Sequence, residues 1–346
     1  MARSRFQARP RLTKFELAQI NPFDKRVLGV KIPDSNTQPS DTFRSEDRYA
    51  ITTAVSDLAK CRAFLPNVAA NVVDSVDSSA TGWSWTAAYG GATASSVATD
   101  ANSNYVGIRP CGHGVRLSCP LAPTSVTGFV HIAIYPISTW NVSTWQFPVN
   151  LSQIANLPWY RRFTLAQLTQ RAVTIVNKFI DNTATRYSNP GSDLVLQGTD
   201  NTFQFSGGWC AIIIAIEGAP IGGGTALSAE NLVHFEGIPV ISSANTGSFS
   251  PAAPFDVQEM EGVSRIATAV PGVFQEGEES SAIAAGMNAL AQGAGAAAGE
   301  IYNRAVLPAA RGLGYAATYA AYGAAAGYGA RYSGGMPGIN TPRLMN

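Results

Sequence analysis

The chain is short of charge. Asp, Glu, Lys and Arg make up 14% of its 346 residues, where a soluble protein usually carries about 25%. Because 46% of the residues are hydrophobic, so sparse a charge implies a surface that largely meets other protein. The net charge is +1, which excludes a chain that holds nucleic acid by overall positive charge. Cysteine and histidine are scarce too. Cys61, Cys111, Cys119 and Cys210 form no Cys-x-x-Cys pair, so no metal site is expected, and the four read as small buried hydrophobes. His113, His131 and His234 are scattered. No Gly-rich phosphate loop or nucleophile motif supports an enzyme. The N-terminus lacks an apolar core, so no secretory leader is expected and synthesis in a reducing cytoplasm is.

The charge that is present is unevenly placed. Arg3, Arg5, Arg9, Arg11 and Lys14 fall in the first fourteen residues, with no acid among them. An arm of this kind can bind a polyanion. Residues 1–45 read as an arm: basic at first, then turn-rich through Asn21-Pro22-Phe23-Asp24, then extended through a Pro-, Asn- and Ser-rich stretch up to Ser40.

The middle of the chain reads as strands. Residues 48–55 and 61–65 open the series. Residues 105–110 and 114–120 alternate apolar and polar, so each buries one face. Residues 127–136 are more continuously apolar, and 172–179 are β-branched. Thr164-Leu165-Ala166-Gln167-Leu168 opens a short helix between them. Trp209-Cys210-Ala211-Ile212-Ile213-Ile214-Ala215-Ile216 is short, β-branched and preceded by two glycines, which marks a buried strand rather than a helix. Residues 232–241 form the last. The pattern predicts an all-β fold over 46–242: an eight-stranded antiparallel jelly-roll sandwich, with the extended basic arm before it.

After residue 242 the character changes. Residues 243–281 read as a linker and inner-surface segment. Residues 282–346 are dominated by Ala and Gly, and 282–291 have fair helix propensity. The tail is too rich in glycine for a membrane span, so it reads either as an interfacial, membrane-active helix or as a low-complexity tail packed against its own domain.

Three blocks resemble the capsid protein of nodaviruses and nodavirus-like small icosahedral viruses. The first runs from Leu12-Thr13-Lys14-Phe15 through Asn21-Pro22-Phe23-Asp24 to Ile32-Pro33-Asp34. The second runs from Val106-Gly107-Ile108-Arg109-Pro110 to Ile132-Ala133-Ile134-Tyr135-Pro136. The third is Phe255-Asp256-Val257-Gln258-Glu259-Met260 with Val263-Ser264-Arg265-Ile266-Ala267. The resemblance implies a virion protein, assembled in the host cytoplasm. Copies of the chain would form an icosahedral shell around a genome, RNA in that family.

It also implies self-cleavage after assembly, in which an asparagine side chain attacks its own backbone carbonyl and an aspartic acid assists. Asn288-Ala289 is the Asn-Ala bond at the head of the tail, and Asp24 matches the assisting acid. Positioning makes such an attack feasible, and a buried acid of raised pKa would polarise the carbonyl. No cofactor is expected. Calcium between subunits would need acids such as Asp41, Glu46 and Asp47 to be joined by neighbouring chains. A host receptor, not identifiable from sequence, would meet outer loops such as 72–104 and 182–201. The competing reading is a β-sandwich module that binds carbohydrate or another ligand.

Overall fold

The computed structural model describes residues 12–52, 59–76, 82–85, 92–136, 147–179, 182–189, 208–219, 225–240 and 250–300. Its elements in chain order are α1 (Lys14–Ala18), a 3-10 turn (Lys25–Val27), β1 (Asp41–Thr52), β2 (Ala59–Phe64), β3 (Val72–Val76), β4 (Ser84–Trp85), β5 (Ala92–Thr93) and α2 (Ala98–Asn104). Then come β6 (Tyr105–Ser118), β7 (Phe129–Tyr135), α3 (Leu151–Ala155), β8 (Arg161–Thr164), α4 (Leu165–Gln170) and β9 (Val173–Val176). A 3-10 turn (Asn182–Thr185) precedes β10 (Ala211–Glu217), β11 (Thr225–Pro239), α5 (Val257–Ala269), β12 (Val273–Gln275) and α6 (Glu279–Glu300).

The strands make two antiparallel sheets. One has five strands in the order β1-β11-β6-β9-β12; the other has seven, running β4-β3-β2-β10-β7-β8 with β5 beside β3. The described strands therefore outnumber the eight expected. The additions, β3, β4, β5, β8 and β12, are two to five residues long, too short to leave a clear alternating signature in sequence.

The sheets pack face to face. Val115 and Leu117 of β6, Val173 and Ile175 of β9, Ile132 and Ile134 of β7 and Ile212, Ile214 and Ile216 of β10 share one buried cluster. The intervening Ala211, Ile213 and Ala215 are buried on the far side, with Trp83, Trp85, Phe147 and Trp209. β10 is thus covered on both faces, which is why its sequence is apolar without alternation. Each fully buried isoleucine contributes about 1.5–3 kcal/mol.

Residues 105–118 form one strand where two were expected. Pro110 lacks the N–H that a ladder needs. Here the register shifts: Phe235 of β11 lies opposite Pro110, and His234 lies opposite Gly112. Cys111 is the extra residue of a bulge, so the strand passes the proline instead of stopping. α4 starts where its sequence signal lies. Gln167 N–H donates to Thr164 Oγ1 at 3.1 Å, and Thr164 N–H donates to Gln167 Oε1 at 2.9 Å, a reciprocal cap.

A buried polar belt crosses the five-stranded sheet. His113 Nε2 lies 2.8 Å from Asn231 Oδ1, and His113 Nδ1 lies 2.7 Å from Asn177 Nδ2. With Nε2 donating and Nδ1 accepting, the ring is neutral. Asn231 Nδ2 donates to Asn71 Oδ1, and Asn71 Nδ2 donates to Asp47 Oδ2. Ser45 Oγ and the Ser96 N–H also reach Asp47. Every link is satisfied, so the belt avoids the cost of orphaned buried polar groups. All four cysteines are buried.

The chain ends form a third layer. Phe15, Leu17 and Ala18 of α1 pack with Val27, Val30 and Ile32, with Cys111 of β6 and with Val263 of α5. Ile20 packs with Val176, Ile266, Val270, Phe274 and Ala282. Residues 12–34, read as part of an arm, are thus a folded cover on the outer face of the five-stranded sheet, and β1 begins at Asp41. Residues 243–281, read as a linker, contain α5 and the edge strand β12, where Val273 pairs with Ile175.

Two glycines let the helices close. A Cβ at Gly262 would stand 2.6 Å from Glu16 Oε1 and 2.7 Å from Leu290 Cδ2; one at Gly286 would stand 2.5 Å from Ile20 Cδ1. Glycine at these points lets α1 and α6 approach α5 closely, despite its low helix propensity.

Candidate functional site

The cover is anchored by Arg109 of β6, which is 1% exposed. Its Nε and Nη2 donate to Glu236 Oε2 of β11 at 3.0 and 2.8 Å. Its Nη1 and Nη2 reach both oxygens of Asp34, and Nη1 donates to the Thr185 carbonyl at 2.8 Å. The guanidinium stacks 4.3 Å from the Tyr187 ring centroid. Glu236 also accepts the Ile32 N–H and the Ser40 hydroxyl. Burial opposes the charge on Arg109, but Asp34 and Glu236 more than offset it and hold the guanidinium protonated. One buried arginine thereby ties residues 32–40, two central strands and the 182–188 segment together, using the planar fork that suits arginine to buried pairs.

A second cluster joins α1 to α5. Thr13 caps α1: its N–H donates to Glu16 Oε2 at 2.8 Å, and its hydroxyl accepts the Glu16 N–H at 3.2 Å. The same hydroxyl donates to Glu259 Oε1 of α5. Burial pushes the Glu259 carboxyl above its usual range; Thr13 pulls it down, while Glu16 and Asp256 push it further up. Asp256 caps α5 through the Gln258 and Glu259 N–H groups.

Beside this junction is a hollow of about 460 Å³. Thr13, Lys14, Lys31, Phe255, Asp256 and Glu259 are among the residues that line it. Phe255 is 61% exposed. The amines do not neutralise the acids. Lys14 Nζ donates to the Leu28 carbonyl at 2.8 Å. Lys31 Nζ donates to the carbonyls of Ser40, Ser250 and Pro251.

Of the residues singled out in sequence, Lys14 is the exposed first residue of α1. Arg3, Arg5, Arg9 and Arg11 lie outside the described residues, as does the tail beyond Glu300. Asp24 caps the 3-10 turn at Lys25–Val27 and pairs with Arg26, 2.7 Å from Nη2. That hydrogen-bonded pair holds its carboxyl below the usual range, opposite in direction to an acid kept protonated for catalysis. Asn288 is exposed within α6, which continues to Glu300. The hydrogen bonds of Asp24 go to Arg26, and Asp24 and Asn288 share none. Among the described residues no helix is long and apolar enough to cross a membrane.

Arg109 and Glu236 leave no mark in the sequence pattern, whereas Thr13-Lys14-Phe15-Glu16 of the first block and Asp256-Val257-Gln258-Glu259 of the third carry a usable signal. Thr or Asp followed three residues later by Glu is the signature of a helix cap. Arg109 stands 75 residues from Asp34 and 127 from Glu236, a separation that no local pattern spans.

No family model and no curated protein matches the sequence. Solved structures do match the fold. The structure of infectious bursal disease virus, Gt strain, is similar with a TM-score of 0.55 and 10% identity, over 77% of this chain and 98% of that one. The T13 particle of the same virus gives 0.50 and 11%, over 80% and 96%. The VP2 subviral particle of that virus gives 0.50 and 10%, over 78% and 99%. At such identity the likeness is one of fold: two antiparallel sheets arranged as in a protein of an icosahedral virus particle.

Proposed function

We propose that this chain is a viral capsid subunit that assembles with copies of itself into an icosahedral shell enclosing the genome. The observation that carries the reading is the fold match, which spans 98% of a virus-particle chain rather than a fragment of it. Low charge suits a surface buried mostly against other copies. The three sequence blocks favour a nodavirus-like relation within that class, and with it an RNA genome.

The layout supports one orientation. The first described residues and α6 lie on the same face of the five-stranded sheet. That face is the interior in this reading, so Arg3, Arg5, Arg9, Arg11 and Lys14 meet the nucleic acid. The chain then resides in the virion after assembly in the host cytoplasm. The Ala/Gly-rich tail is the part that meets a host membrane.

Self-cleavage at Asn288-Ala289 is the second part of the proposal, and the geometry sets its conditions. α6 has to unwind around Asn288 before the side chain can reach its own carbonyl, and Asp24 has to exchange Arg26 for that site. Assembly is the event that would supply both changes.

The test is sedimentation of the purified chain, then intact-mass spectrometry of aged particles. Megadalton particles support the shell; a monomer under every condition sinks it and favours the ligand-binding module. Two fragments split after Asn288, absent in Asp24→Asn, support the cleavage. Particles holding only the full-length chain retain the shell and remove the cleavage.

A further inference from the structure

The α1–α5 junction concentrates acid where two elements meet. Thr13 bonds two carboxyl groups at once, Glu16 through its N–H and Glu259 through its hydroxyl. Asp256 adds a third at the start of α5. The packing leaves little room to separate them. Glu16 is 6% exposed, and its Oε1 lies 2.6 Å from where a Cβ on Gly262, one turn along α5 from Glu259, would stand.

Among the described residues, the groups around the cluster do not neutralise it. On α1, Lys14 turns to the Leu28 carbonyl, and across the hollow Lys31 turns to three carbonyls. On α5, Arg265 pairs with Glu261. From α6 the described side chain at this point is the apolar Leu290. Because Glu259 lines the hollow, protons have a route to it.

We propose that Thr13, Glu16 and Glu259 form an acid-tightened latch that fastens α1, and with it the root of the basic arm, to α5. With Glu259 ionised, two carboxylates share one threonine at close range and repel, which favours the undocked helix. With Glu259 protonated, the repulsion is gone and the packing of Phe15, Leu17 and Ala18 holds α1 down. The sign comes from linkage. A carboxyl whose pKa is higher in the docked state binds more proton there, so docking strengthens as pH falls and weakens as pH rises. The latch belongs to the single chain, so it goes beyond the shell reading and stands or falls separately from it.

Hydrogen exchange of the amides of α1 and the turn after it tests this, read on the full chain from pH 5 to pH 8 and corrected for intrinsic exchange rates. The amides of Leu17, Ile20 and Asn21 bond within this segment and report its opening. Opening should be several-fold rarer at pH 5 than at pH 8. Glu259→Gln should hold the closed level at pH 8 and lose the pH dependence. Glu16→Gln, which keeps a capping side chain, should also flatten it. An unchanged pH dependence in both variants overturns the latch. So does a wild-type opening that fails to decrease on acidification, a readout that needs no variant to fold.

Discussion

The two faces of the five-stranded sheet are built from different chemistry. The face toward the other sheet is apolar, and its polar belt consists largely of neutral groups: His113, Asn177, Asn231 and Asn71. The face under the chain ends carries ionisable groups: Arg109 paired with Asp34 and Glu236, and the carboxyl pair around Thr13. Amide networks keep their bonds across the neutral pH range. Ionic ones answer to pH and to the loss of one member. The sandwich is therefore the permanent part of the molecule, and the cover is the conditional part.

The largest effect is expected from Arg109→Ala. It leaves Glu236 buried without its cation, a loss of about 3–5 kcal/mol in urea-unfolding free energy. A loss below about 1 kcal/mol would mean that apolar packing, not the ion cluster, holds the cover.

The belt makes the next prediction. Burial lowers His113 from 6.5 to about 4, so the unfolded chain takes up that proton first as pH falls. Stability from this group is complete above about pH 6.5 and drains away toward pH 4, by about 3 kcal/mol in total. Unfolding free energies at pH 4.5 and 7 check it. A belt without this dependence would not be the neutral element of the sheet.

Lys178 sharpens the contrast, because it sits beside Asn177 yet its buried amine has no hydrogen-bond partner among the described residues. Burial pulls it down to about 8, so its charge burdens the fold below that pH. Lys178→Met should raise stability at pH 7 by up to about 3 kcal/mol, and the gain should fade between pH 8 and pH 10. An equal gain at pH 7 and pH 10 would assign the effect to packing.

Asp24→Asn should be the smallest. Arg26 is mostly exposed, and solvent screens such surface pairs so that they contribute little to stability. Its thermal midpoint should stay within a few degrees of wild type. The variant can then report on cleavage without confusion from unfolding; a large drop would disqualify it.

Parts of this architecture are legible in the residue pattern alone. The β-branched run of β10 reads as a buried strand because few other environments accept so many consecutive apolar residues. Thr164 and Gln167 mark the start of α4, since capping is decided within four residues. The helical character at 282–291 comes from composition. α5 is marked only at its start, where Asp256 stands three residues before Glu259 and caps the helix. Its buried positions, Gly262, Val263, Ile266 and Ala267, are largely poor or moderate helix formers, and the packing of α1 and α6 is what stabilises the helix. The single strand through Pro110 is hidden, because a bulge is a property of two strands, not of one.

By itself the sequence determined that strands fill the middle of this chain, that basic residues crowd its start and that small apolar ones fill its end. Those are local facts of residue type and spacing. Only the tertiary structure decided that residues 12–34 fold back as a cover, that Arg109 meets Asp34 and Glu236, and that one threonine joins two glutamates. The reason is physical. A charge can be buried only where its counterions converge, and convergence across 75 or 127 residues is set by the sheet register and not by neighbours along the chain.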